Sequence, residues 1–131
     1  MKFMLLMNCP RNVEQTLSTW SPADFQAHIA HMKRINADLL QRGEFVLAEG
    51  LDMPTAARIV RGQQKGPPLV TDGPFAESKE FLAGFWIVDV GSRERAVAIA
   101  AAASLAPGPG GKTMQIPIEL RQVMSPPKFD E

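Results

Sequence analysis

Thr71-Asp72-Gly73-Pro74-Phe75-Ala76-Glu77-Ser78-Lys79-Glu80 leads directly into Phe81-Leu82-Ala83-Gly84-Phe85-Trp86-Ile87-Val88-Asp89-Val90. The first ten residues are polar and turn-forming, and the second ten are the most apolar run in the chain. Asp-Gly favours a turn, because Gly accepts φ > 0 and Asp bonds nearby amides. Pro74 has no amide for Asp72 to bond and pushes Gly73 out of the α region, so the corner is stiff. Its carboxylate is left for the Phe75 or Ala76 amides, a side chain or a ligand. The apolar run reads as a central strand buried on both faces, with Phe85 and Trp86 placing an aromatic on each.

Working outward, residues 2–8 predict a first strand followed by a polar loop. Ser21-Pro22-Ala23-Asp24 predicts a helix start, with Ser21 as N-cap and Pro22 in the first turn. Phe25, Ile29, Met32, Asn36 and Leu39, with Leu40 beside them, give the helix an apolar stripe, and Gly43 stops it. Residues 44–49 predict a second strand; 57–61 and 69–71 predict a hairpin. Ser92 caps an alanine-rich helix over 93–104, which Pro107-Gly108-Pro109-Gly110-Gly111 ends. Met114, Ile116, Ile118 and Leu120 alternate with Gln115, Pro117, Glu119 and Arg121, predicting a last strand, and Pro117 favours an edge.

The order is β-α-β, an inserted hairpin, then β-α-β. It predicts an α+β, ferredoxin-like sandwich with both helices on one face of an antiparallel sheet. One domain spans 1–124, and 125–131 form a loose tail. An apolar sheet face without helices points to a homodimer through that face.

With 131 residues, 45% of them hydrophobic, and 14 basic residues balancing 14 acidic ones, the chain is an ordinary globular domain without a nucleic-acid footprint. No apolar run reaches the roughly 18 residues that span a membrane. Residues 1–7 resemble the front of a signal peptide, but Asn8, Cys9, Pro10 and Arg11 cut the run short. The single Cys9 excludes an internal disulfide, so a cytoplasmic location is expected.

Asp72 has two readings: a turn-former, or a general base or ligand anchor. His28, on the apolar stripe, is either a packed histidine or, like His31 at its edge, an acid/base partner for Asp72. Two histidines three residues apart make no metal set. Arg58 and Arg121, on strands expected to border the open face, are candidate anion clamps or structural ion-pair partners. Lys79 sits in a charged turn with Glu77 and Glu80; Phe75 is expected to anchor the corner in the core and Trp86 to line a cleft. The glycines at 108, 110 and 111 match no phosphate or dinucleotide fingerprint, and no cofactor is expected.

Asp72 to Glu80 followed by Leu82-Ala83-Gly84-Phe85-Trp86-Ile87-Val88 resembles the signature of the DGPF-domain, or YCII-related, family. Lys2-Phe3-Met4-Leu5-Leu6, Gly50-Leu51, Thr55-Ala56 with Arg58, and Ile118-Glu119-Leu120-Arg121 extend the resemblance to about Val123. It implies a dimeric α/β barrel with a cleft between subunits. Distant relatives include a dehydrochlorinase of aromatic breakdown, and similar barrels host lactone isomerases and monooxygenases. The broader branch uses a His and an Asp as acid and base, and some members occur beside sigma factors. These implications define two expectations: a small-molecule-binding homodimer with cofactor-independent acid/base activity, or a non-catalytic ligand- or protein-binding regulatory dimer.

Overall fold

The computed structural model describes residues 1–126; residues 127–131 of the expected tail lie outside them. In chain order the elements are β1 (Lys2–Pro10), a short helix α1 (Val13–Leu17), α2 (Pro22–Gln41), β2 (Phe45–Gly50), β3 (Arg58–Arg61), β4 (Leu69–Asp72), β5 (Glu80–Asp89), α3 (Arg93–Ser104) and β6 (Ile118–Gln122). α1 occupies what reads in sequence as a plain polar loop.

Four strands form one antiparallel sheet in the order β2-β5-β1-β6, and β3 and β4 pair separately as a two-stranded ribbon. The halves β1-α2-β2 and β5-α3-β6 interleave, which is the ferredoxin-like arrangement. Alternation along the two central strands drives it. Phe3 and Leu5 of β1 and Trp86 and Val88 of β5 are buried with Leu39 of α2 and Ala96, Ile99 and Ala103 of α3. Both long helices therefore cover the same sheet face.

The opposite face is built from the alternate residues. Register places Leu47, Ile87, Met4 and Arg121 in one row across the strands, and Glu49, Phe85, Leu6 and Glu119 in the next. Phe85, Ile87, Met4 and Leu6 are half-buried, so β5 is closed on its helix side alone and not on both faces.

α2 starts as its sequence dictates. The Ser21 hydroxyl accepts the Asp24 amide, and the Asp24 carboxylate accepts the Ser21 amide, a capping box with Pro22 in the first turn. Gly43, at φ +71, turns the chain out of the helix. The buried stripe, however, runs through Met32, Ile35 and Leu39, while Ile29 and Leu40 face solvent. Phe25 packs on Trp20, with ring centroids 5.2 Å apart, instead of on the sheet.

The last strand is shorter than its alternation suggests. The Met114 and Ile116 amides donate to the Ala106 and Ser104 carbonyls just past α3, and Gln115 sits at φ +54. These residues cap the end of α3, and Pro117 falls outside the ladder. β6 begins at Ile118 and is an edge strand.

One ion pair ties three elements together. Arg95 of α3 grips Glu44, just before β2, with Nε–Oε2 at 2.9 Å and Nη2–Oε1 at 2.8 Å, and approaches Asp38 of α2 at 3.7 Å. The Arg95 guanidinium holds the Glu44 carboxyl below its ordinary range, against the opposing cost of desolvation. A depressed carboxylate stabilises the fold above its unfolded pKa, and that contribution fades as pH falls through the folded value. Glu44→Gln should cost about 1 kcal/mol at pH 7, the discounted value for a partly exposed bidentate pair. In urea titrations the difference from wild type should shrink as the pH falls below the ordinary glutamate range.

Candidate functional site

The Asp-Gly-Pro corner is exposed. Asp72 ends β4 with its side chain 92% exposed, and its Oδ1 lies 3.5 Å from Arg58 Nε. Arg58 belongs to the β3–β4 ribbon, not to the main sheet, and donates to the Ala56 and Ala57 carbonyls at 3.3 and 2.9 Å. The Gly73 amide closes on the Ala57 carbonyl at 2.9 Å. Asp72 thus pairs with Arg58, which the sequence offered as an anion clamp or a structural ion-pair partner.

Phe75 does not anchor this corner in the core, because it is 66% exposed. Arg11 holds the corner instead. Its Nη2 donates to the carbonyls of Phe75, Ala76 and Ser78 at 3.1–3.3 Å, and its guanidinium lies 5.0 Å from the Phe81 ring centroid. In sequence Arg11 only terminates an apolar run; the antiparallel register, with Pro10 opposite Glu80, brings it to the corner. Lys79 is exposed and makes no ion pair among the described residues. Arg121 is exposed on the open face, 3.9 Å from Glu119.

The histidines join α2 to the α3 side of the molecule. His28 Nδ1 lies 3.0 Å from the Pro107 carbonyl, and His31 Nε2 lies 2.7 Å from the Ala102 carbonyl. A carbonyl only accepts, so each of these nitrogens carries the hydrogen. The Asp24 carboxylate also takes the Gly110 amide at 3.1 Å. Amides from Ser21 and Gly110 hold its pKa below the ordinary value. Asp24 and His28 therefore pin the turn after α3 onto α2. No hydrogen bond or ion pair joins either histidine to Asp72 among the described residues. Cys9 is buried, which pushes its thiol pKa up and disfavours the thiolate.

The cleft that does contain His28 is made by missing side chains. Gly50 of β2 pairs with Gly84 of β5 across the ladder. Without Cβ atoms there, a cleft of about 300 Å³ opens between α2 and the helix-covered face of the sheet. Met7, Met32, Ala48 and Trp86 give it an apolar wall and His28 and Asn36 its polar side chains, while Glu49 and Phe85 border it from strands whose register turns their side chains to the opposite face. A Cβ on Gly84 would stand 3.0 Å from the Glu49 carbonyl oxygen, whereas one on Gly50 would meet nothing within 4 Å.

Asn36, the polar residue on the helical stripe, has a definite job. Its Oδ1 accepts the Trp86 indole N–H at 2.8 Å, which fixes both side chains and leaves the Asn36 amide nitrogen as a donor. With Nδ1 of His28 donating to Pro107, Nε2 is the ring nitrogen left to exchange a proton. Trp86 does line a cleft, but from the helix-covered side and within one chain. Gly50 and Gly84 do not stand out in the sequence as site residues. No local pattern reveals that two glycines pair across strands.

Among known proteins, the sequence model of the YCII-related domain matches residues 1–111. An uncharacterized protein of Rhizobium meliloti (strain 1021) is similar, at 31% identity over 86 residues, 66% of this chain and 68% of that protein.

Proposed function

This chain belongs to the YCII-related domain family, and from that premise we propose that it is a small-molecule-binding homodimer whose ligand enters the Gly50–Gly84 cleft, with His28 as the proton-accepting group. One observation carries the reading: a cleft of binding-site size, apolar on its walls, in which a few polar groups converge. The Asn36 amide shares the cleft with His28, and Asp72, exposed on the ribbon, does not line it. An imidazole beside an amide donor suits cofactor-independent proton transfer, such as isomerisation or elimination. The apolar open face, with Phe85, Ile87, Met4, Leu6 and Leu47 at its centre, supports pairing of two copies sheet to sheet.

Gly50→Leu tests the cleft. Its side chain enters open space, so folding should persist while ligand access is lost. A thermal-shift screen of small aromatics, lactones and amides should give stabilising hits in wild type. Those hits should weaken at least tenfold in affinity in Gly50→Leu. Hits that survive unchanged would place the ligand elsewhere.

A non-catalytic regulatory dimer is the second reading, and the ribbon favours it. Val60, Leu69, Val70 and Phe75 are all exposed on or beside β3 and β4. An isolated two-stranded ribbon is marginal in water and gains from a partner. Turnover without a requirement for His28 would contradict the first reading; ligand binding without any turnover would select the second.

A further inference from the structure

We propose that a second cavity, between the α1–α2 junction and the segment 52–56, binds small primary amines that carry an apolar body and a neighbouring oxygen. It is an open cavity of about 620 Å³, within the range of small-molecule sites, and shares no lining residue with the Gly50–Gly84 cleft. Trp20 is the first reason to expect a ligand there. It is 8% exposed, stacked on Phe25 and edge-on to His28 with centroids 5.5 Å apart. Its indole N–H forms no hydrogen bond among the described residues, whereas every fully sealed side-chain nitrogen or oxygen there has a partner. The N–H is therefore not sealed: it keeps an opening, and the cavity that Trp20 lines is this one. A polar group so nearly buried calls for a partner.

The other polar side chains of the cavity offer only acceptors. One Glu14 oxygen takes the Thr55 hydroxyl hydrogen, a contact that reaches from α1 to the facing segment and leaves the second oxygen free. Asp52 Oδ1 takes the Met53 amide at 2.7 Å, which leaves Oδ2. Ser18 has spent its hydrogen on the Gln15 carbonyl at 2.6 Å, so its oxygen, like that of Thr55, is left to accept. No lysine, arginine or histidine lines the cavity, and neither carboxylate enters an ion pair among the described residues. Arg58 reaches the Ala56 carbonyl from the ribbon, but it is committed there, to Ala57 and to Asp72. An ammonium, with three donors and no acceptor, complements this set, and an anion would meet like charges. The Trp20 N–H is the one donor, placed for a hydroxyl or carbonyl oxygen beside the amine. Leu17, Phe25 and Met53 give the apolar body its wall.

Phenylalaninol, hydrocinnamyl alcohol and hydrocinnamate test this, because they share a phenylpropyl frame and differ at the polar end. The chain has two tryptophans, so their indole N–H signals in an NMR titration of the full chain report the two cavities separately. At low ionic strength phenylalaninol should shift the Trp20 signal and leave that of Trp86, held by Asn36, in place. It should bind at least about tenfold tighter than hydrocinnamyl alcohol, with hydrocinnamate weakest, because charge-assisted hydrogen bonds are the strong ones. Glu14→Gln keeps an acceptor for Thr55 and should bring phenylalaninol close to the alcohol, whose own affinity should not change. Gly50→Leu, in the other cleft, should leave all three as they are. A shift of Trp86 with Trp20 unmoved would put the amine in the Gly50–Gly84 cleft and overturn the proposal. Equal affinities for the three compounds, or a phenylalaninol affinity that Glu14→Gln leaves intact, would remove the charge recognition. No Trp20 shift with any of them would mean that the cavity is not a site.

Discussion

Ile87→Glu should turn the proposed dimer into a folded monomer, raising the dissociation constant at least about 100-fold. Ile87 sits mid-face, with Leu47 on one side and Met4 on the other. In a sheet-to-sheet dimer the substitution buries one unpartnered carboxylate from each copy near the centre of the interface. An uncompensated buried charge costs on the order of 3–5 kcal/mol, more than the roughly 2.7 kcal/mol that 100-fold requires. In the monomer the same side chain reaches water from a half-buried position, so the helix-covered core is undisturbed. Sedimentation over a concentration series measures the constant, and circular dichroism checks the fold. Val60→Glu on the ribbon is the control and should leave association alone. If Val60→Glu dissociates the dimer and Ile87→Glu does not, the ribbon is the interface. A wild-type chain that is monomeric at every concentration would end the proposal.

Local chemistry explains which parts of the fold were legible. The Ser21–Asp24 capping box, Gly43 and Ser92 act through neighbours in sequence, so the ends of α2 and the start of α3 follow from residue types alone. The inserted hairpin and the existence of the central strand were also readable, from turn residues and a long apolar run, although that run suggested burial on both faces and only the helix side is closed. Legibility failed where a distant partner decides the outcome. Residues 114–116 carry a good strand pattern, but Ala106 and Ser104 offer their carbonyls first. Ile29 fits the helical stripe as well as Ile35 does, and only the position of the sheet chooses between them.

The site follows the same rule. Asp72 was conspicuous because Asp-Gly-Pro is a strong local signal, yet the signal describes a turn, and the side chain stands in solvent beside Arg58. Asn36 was the better clue. A polar residue inside an apolar stripe needs a buried partner, and here the partner is Trp86. Tracing that pair leads to the cleft. Tracing the signature motif leads to Arg11, whose three carbonyl contacts explain why the corner is held without Phe75 in the core.

The two glycines make the sharpest stability test, because the same substitution should have opposite signs at paired positions. Alanine is normally better than glycine within a strand by about 0.5–1 kcal/mol, since glycine loses more backbone freedom on folding. Gly50→Ala should show that gain or no change, as its methyl enters open space. Gly84→Ala should instead destabilise by about 1–3 kcal/mol, because its methyl meets backbone on both counts: the Glu49 carbonyl oxygen at 3.0 Å and the Gly50 Cα at 3.4 Å. A flexible side chain could swing aside, but these atoms belong to the β2–β5 ladder and move only if the strands part. Gly84→Val, with two further methyls, should cost more still and loosen β2 first. Urea midpoints give the free energies, and amide exchange of Leu47 to Gly50 reports the local opening. Equal midpoints for Gly84→Ala and Gly50→Ala would mean that the strands yield at this point and that the floor of the cleft is not fixed by glycine.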